Sequence, residues 1–464
     1  MKNLILHELQ QFLYELRLPI TLSIVLVMFA ISSLTYIGEY DQAVKSYREI
    51  VAGQEQQLRD RAGLSATNVV IHRREYRLPP RNNGFISDCG EPNMPNTLEY
   101  TAFHWLRFSG NVSSDNPLVM PSERISWGFI LTVLFSFLAI IFSFDAVSGE
   151  KEGRTLALSL SNPVKRSRIL LGKFIAINIL LIACALAGIL LALLILMLSP
   201  AVNITGETFS EIGLFLLFVV FFTGSMSAVG LLASVMCANS NISLLVSVSL
   251  WLVFLIAIPN FSQTLGTIAW PVERGNMVMF KIWEKRKEIE ATFPDGKWMS
   301  NGSNPFLPQH EIRANMQMAF GKNEAQFWDE HYAAQFRQVK NTRRWAWISP
   351  LAVFEYGTEA LLDGGYLRLK GNYTDLQNFK IQYLQWFKDV DAKDDKSPHW
   401  YNPYEDYSTT RKPVAYEEIP QYAEHPASIA ERLAETLKYL MVMLAYMGVM
   451  FVLAIIRFER YDVR

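Results

Sequence analysis

The densest set of chemically capable side chains lies between residues 144 and 173, in FDAVSGEKEGRTLALSLSNPVKRSRILLGK. Asp145, Ser148, Glu150 and Glu152 come first, and Lys165, Arg166, Arg168 and Lys173 come last. The spacing predicts a helix capped by Ser148, with Glu150 and Glu152 in its first turn near the positive end of the helix dipole. Asn162 followed by Pro163 reads as a second helix start, with proline at the first helical position. The segment therefore reads as a short helix, a break at Asn162–Pro163, and a new helix entering the membrane. Catalytic alternatives are thin. Six of the seven histidines (His72, His104, His310, His331, His399 and His425) lie in polar inserts, and none forms a close pair. His310–Glu311 begins an H-E-x-x-H pattern, but Ala314 stands where the second histidine belongs. There is no G-x-S-x-G. There is no G-x-x-x-x-G-K-[ST] either, since Gly172–Lys173 lacks both the upstream glycine and the following Ser or Thr. No metal, nucleotide or other cofactor is expected in this chain.

The elements that position these groups are apolar. The chain has 464 residues, is 50% hydrophobic and carries a formal net charge of −1, a balance that gives no hint of nucleic acid. Its three cysteines make a disulfide framework unlooked-for. Six runs approach the roughly 20 residues needed to cross a bilayer: 20–38, 125–144, 169–198, 212–236, 242–258 and 439–456. The first is not followed by a small-residue cleavage site and reads as a retained anchor. Between their ends the spans hold no Asp, Glu, Lys, Arg or His except Lys173, near the start of the third. Ion-coupled transporters keep ionisable groups at membrane depth, so the energy source is expected elsewhere. Gly224 and Ala228 form a small-xxx-small pair that reads first as helix packing. Ahead of the first span, Ile5, Leu9, Phe12, Leu13 and Leu16 share one helical face, as in an interfacial helix. Pro19 then permits a bend.

Lys and Arg set orientation. They gather between spans two and three (Lys151, Arg154, Lys165, Arg166, Arg168, Lys173), in the tail (Arg457, Arg460, Arg464) and near the start (Lys2, Arg17). This places both termini in the cytoplasm and two large inserts outside. In the first insert, 41–61 should continue the span as a helix, and short strands and turns should follow Gly63. In the second, helices are expected near 277–292, 311–342 and 376–390. Eight of the eleven tryptophans fall there, a supply of rings that suits a domain with its own core. The expected fold is an α-helical polytopic membrane protein: six transmembrane helices with both termini cytoplasmic, plus a mostly helical extracytoplasmic domain with some short strands. Its parts are an amphipathic elbow helix (1–18), the first span (19–38), an extracytoplasmic insert (39–124), spans two to five with a cytoplasmic helix at 148–160 (125–258), a large extracytoplasmic domain (259–432), and the sixth span with a basic tail (433–464).

The 144–173 stretch resembles the first cytoplasmic loop of permease subunits of the type-2 (ABC-2) class of ABC exporters. Their pattern there is D-x-x-S-G-E-x-E-x-G-T-L, then a Ser-Asn/Thr-Pro-V step, a basic pair and L-G-K. Gly153 and Arg154 stand where that pattern has x-G, and the other positions match. The closing FERYDVR resembles the tail of a subgroup with large outer domains, and Ile348–Ser349–Pro350 is a fainter likeness. The resemblance implies that Asp145, Ser148, Gly149, Glu150, Glu152, Gly153, Thr155, Asn162 and Pro163 couple this chain to an ABC ATPase dimer. ATP and Mg would then belong to that partner. A second permease subunit, identical or different, would pair with this one in the bacterial cytoplasmic (inner) membrane. The expected function is that of a non-catalytic permease subunit, coupling ATP hydrolysis elsewhere to movement of a substrate across or out of the membrane. Two other classes stay open. One is an ABC-type complex that transmits force to an envelope partner. The other is a membrane-anchored envelope enzyme, against which the missing catalytic motifs count.

Overall fold

A computed structural model of the chain describes residues 2–109, 125–161, 164–293, 308–401 and 409–461. Helix α1 (Lys2–Tyr14) is followed at once by α2 (Arg17–Leu64). Pro19 sits in the first turn of α2, where a missing N–H has no intrahelical partner to lose. At 1.5 Å per residue the 48 residues of α2 reach ~72 Å, so the helix outruns any bilayer and its polar half continues beyond, as 41–61 leads one to expect. A short α3 (Ala66–Ile71) is capped by Ser65, which accepts from the Asn68 N–H at 3.1 Å. Strands β1 (Arg74–Arg77), β2 (Thr97–Tyr100) and β3 (Leu106–Ser109) form an antiparallel sheet in sequence order, with Leu98 opposite Tyr76 and Phe108.

The second span is built from α4 (Trp127–Phe129), a π-helical turn (Ile130–Phe135) and α5 (Ser136–Ser143). Two short helices, α6 (Ser148–Glu152) and α7 (Leu156–Ser161), lead to α8 (Arg166–Met197), which is followed by α9 (Gly206–Met236). The fifth span joins α10 (Ser240–Leu252), a π turn (Val253–Ala257) and α11 (Ile258–Ala269). Then come α12 (Gly275–Thr292), α13 (Pro308–Ala346), α14 (Pro350–Leu362), α15 (Gly365–Asp391) and α16 (Ile429–Glu459). Among the described residues six helices are long and apolar enough to cross a membrane, and they coincide with the six expected runs.

Two hydrophobic cores result. The first fills the bundle with Phe29, Trp127, Phe135, Ile177, Phe215 and Phe222. The second joins Leu58 and Ala62 of α2 to Leu98, Tyr100 and Phe103, and to Tyr332, Tyr383 and Phe387 of α13 and α15. The two inserts therefore fold as one unit. Tyr100 meets Tyr383 edge-on at 6.2 Å and Phe103 meets Phe387 at 5.8 Å. Backbone bonds from Val414 N to Ala62 O and from Ala66 N to Lys412 O, both 3.0 Å, close the seam. The rings at the centre of this core are Tyr and Phe. Trp328 and Trp386 only border it, and Trp283 and Trp345 are exposed. Trp347 packs against the first core instead, so the tryptophans do not build the second.

The stretch 259–432 does not pack as one body. Helix α11 carries the fifth span on to Ala269, and α14 returns to the bundle. Phe354 of α14 is fully buried between Phe215, Phe218 and Phe222, with ring centroids at 5.8, 6.4 and 4.5 Å. Gly357 permits this approach, since a Cβ there would lie 2.4 Å from the Phe218 ring. The turn before α14 also repairs the π turn of span five. Ser349 Oγ donates to the Phe254 carbonyl at 2.7 Å, in a place where an apolar surround offers no water to do so.

Candidate functional site

The start of α2, the α5–α8 connection, the α9–α10 turn and the last turn of α16 meet at one end of the bundle. The second core lies toward the other end. At the first end, α6 starts at Ser148, but Ser148 is not its cap. Ser148 is buried and its Oγ donates back to the Phe144 carbonyl at 2.8 Å, the local bond that competes with capping. The cap comes instead from α9. Ser234 Oγ accepts from the N–H groups of both Val147 and Ser148, each at 2.9 Å.

Helix α6 stops after five residues, so the single helix expected over 148–160 is two helices with a turn between them. The stop is a Schellman motif. Arg154 N donates to Lys151 O at 3.2 Å and Thr155 N to Glu150 O at 3.0 Å. Arg154 takes the left-handed position at φ +55°, where glycine is at ease, while Gly153 has an ordinary helical φ of −74°. Arg154→Gly should therefore raise stability by ~1 kcal/mol, read as a higher melting temperature of the purified chain. An unchanged or lower value would mean that the arginine side chain itself holds the turn.

The charges of this segment are engaged within the chain. Asp145 accepts from Arg17 of α2 at 2.7 Å. Glu150 and Glu8 of α1 both pair with Lys173 of α8, at 2.7 and 2.9 Å. Lys151 donates to the Val235 and Cys237 carbonyls, at 2.6 and 2.8 Å, and so satisfies the C-terminal end of α9. Its ammonium also lies over the Tyr461 ring at 4.6 Å. Glu152 accepts from Ser240 N at 3.1 Å, at the first residue of α10 where a carboxylate favours the dipole. Gly149 is in ordinary contact with Asp145 and Ser240. Arg166 donates to the Tyr461 carbonyl at 2.6 Å and so holds the end of α16. One short segment thereby holds the start of α2, the first turns of α8, the end of α9, the start of α10 and Tyr461 after α16, and reaches α1 through Lys173.

Among the described side chains of the segment, what remains outward is a small surface: Glu152, Gly153, Arg154, Thr155, Ala157 and Leu158, the last 73% exposed. Leu13, Tyr14 and Leu16 at the α1–α2 corner are also exposed. Of the residues singled out from sequence, Asp145, Ser148, Gly149 and Glu150 turn into the chain, while Glu152, Gly153 and Thr155 face out. Asn162 and Pro163 lie outside the described residues. Sequence reasoning missed Ser234, Lys151 and Leu158. Lys173 was visible only as the one charge within a span, and Arg17 only as an orienting charge near the start.

Other candidates resolve as packing. Gly224 lies against Met447 of α16, where a Cβ would come 2.5 Å from its sulfur, and Ser225 Oγ donates to the Met443 carbonyl at 3.3 Å. The small-xxx-small pair therefore seats α16 on α9. His399 Nδ1 is 2.6 Å from buried Asp391. His104 is buried beside Lys380 and Arg286, and burial first, then these cations, pull it down to about 4. A family model described as "ABC-2 family transporter protein" matches residues 2–463. An 85-residue stretch is 38% identical to the probable ABC transporter permease protein NosY of Pseudomonas aeruginosa, covering 18% of this chain and 31% of that protein. A 69-residue stretch is 38% identical to the protein of the same description from Stutzerimonas stutzeri, covering 15% of this chain and 25% of that protein. The chain thus spans about a third or less of the length of these curated relatives.

Proposed function

We infer that this chain, which belongs to the ABC-2 family of transporter proteins, is the membrane-spanning subunit of an ATP-driven complex whose ATPase is a separate chain. The observation that carries this reading is the α6–α7 segment. Ion pairs and helix-end bonds tie it directly to α2, α8, α9 and α10, and among its described side chains the outward surface is Glu152–Thr155 with Ala157 and Leu158. A partner that moves this surface must move those helices with it, which is rigid-body transmission of the hinge or shear kind. The termini and this segment then lie in the cytoplasm, in keeping with their Lys and Arg, and the second core lies outside. Two such subunits pair in the membrane, with ATP and Mg held by two ATPase copies. The acids expected to reach the ATPase do not do so in this reading. They serve as internal braces, and the partner's groove receives Arg154, Thr155 and Leu158.

One observation favours force transmission alongside export. Helix α2 is unbroken from Arg17, which is tied to Asp145, to Leu58 and Ala62 in the second core. Motion at the cytoplasmic segment therefore has a stiff route to the outer unit. The reading is tested by purification. The isolated chain should neither bind nor hydrolyse ATP, and co-expressed with its ATPase it should come out with two ATPase copies and ATP turnover. Turnover by the chain alone, with contaminants excluded, would contradict it.

A further inference from the structure

We propose that Lys173 is a positioning residue that locks the α1 helix and the α6–α7 segment into one mechanical unit. This rests on the reading of α6–α7 as the ATPase-facing element. Lys173 is only 5% exposed, and its Nζ lies 2.9 Å from Glu8 Oε1 of α1 and 2.7 Å from Glu150 Oε1 of α6. An ammonium has three donors and no acceptor, so one cation serves carboxylates from two separate elements. The approach of α1 is allowed by the neighbouring Gly172, where a Cβ would clash with Leu4 at 2.0 Å. Helix α6 has only five residues and no side-chain cap of its own. It cannot hold its place by helix formation alone.

Removing the cation leaves two carboxylates facing each other, one of them with a buried oxygen, Glu150 Oε2, that has no hydrogen-bond partner among the described residues. Those carboxylates must separate or hydrate, and the two elements part. A buried ion cluster of this kind adds little net stability over apolar packing, and its registry role is the better attested one. Removing the lysine alone strands both carboxylates and lowers stability as well, so position and folding are separated by whether restored charge pairing restores the distance.

The test uses the full chain in lipid nanodiscs with Cys89, Cys184 and Cys237 replaced by alanine. Spin labels are placed at Tyr14 and Leu158, which are 90% and 73% exposed, and their distance distribution is read together with the melting temperature. The parent should give one narrow distance. Lys173→Met should lose that narrow distance and melt below the parent, because it strands two carboxylates. The charge-inverted triple variant, Glu8→Lys with Glu150→Lys and Lys173→Glu, should recover it. A narrow parental distance in Lys173→Met, whether or not its melting temperature falls, would make the lysine a structural brace only and overturn the proposal. A triple variant that melts like the parent but stays broad would overturn it as well. No ATPase enters the measurement, so failure of the ABC reading would show in the co-purification and not here.

Discussion

Leu158→Asp is expected to leave the chain folded and inserted while removing most of its affinity for the ATPase. Leu158 is 73% exposed on α7, so the fold has little to lose there. In the proposed complex it fills a groove. Burying a leucine side chain is worth ~1.5–3 kcal/mol, and an unpaired carboxylate in the same place adds a desolvation cost of ~1–3 kcal/mol. A loss of about 2.5–6 kcal/mol corresponds to roughly 60- to 20,000-fold in affinity. Glu152→Lys should do much less to ATPase binding. Its carboxylate receives the Ser240 N–H of α10, so the change costs a helix-end contact of ~1 kcal/mol. Titrating the two variants with purified ATPase separates the surfaces. Parental affinity in Leu158→Asp, with a large loss in Glu152→Lys, would return the contact to the acidic turn.

Phe387→Ala should destabilise the whole unit built on the second core by about 3–5 kcal/mol, the usual cost of emptying a buried ring site. Phe387 is fully buried and meets Phe103 edge-on at 5.8 Å, across the seam between the two inserts. Because Tyr100, Leu106 and Ala62 share that core, proteolytic sensitivity should appear together in 66–109 and 365–391. The six spans should stay protected. Cleavage confined to 365–391, with 66–109 resistant, would show that the inserts are separate bodies.

How much of this was legible in the sequence follows the range of the forces involved. Six spans could be read because each is a continuous apolar run whose solvent is lipid. The extension of α2 beyond its apolar half was likewise a local helical pattern. Helix α14 was hidden: thirteen residues are too few to span, and Phe354 is buried only because α9 presents three phenylalanines to it. The stop of α6 was obscured because arginine holds a left-handed position that glycine would have advertised. Glu8, Asp145, Glu150 and Lys173 were visible as charges. Their pairing was not, since the partners lie far apart in sequence and meet only when α1, α2 and α8 pack.

The central claim is that Gly153–Leu158 is the surface an ATPase grips. It is tested most directly by placing a photo-crosslinking amino acid at Leu158, and separately at exposed Gln57 of the outer half of α2, in cells that express the native complex. Irradiation should join the Leu158 position to a polypeptide identified by mass spectrometry as an ATPase with a phosphate-binding G-x-x-x-x-G-K-[ST] loop, and the Gln57 position to no such chain. An ATPase adduct at Gln57, or none at Leu158 while the complex remains intact, would contradict the account.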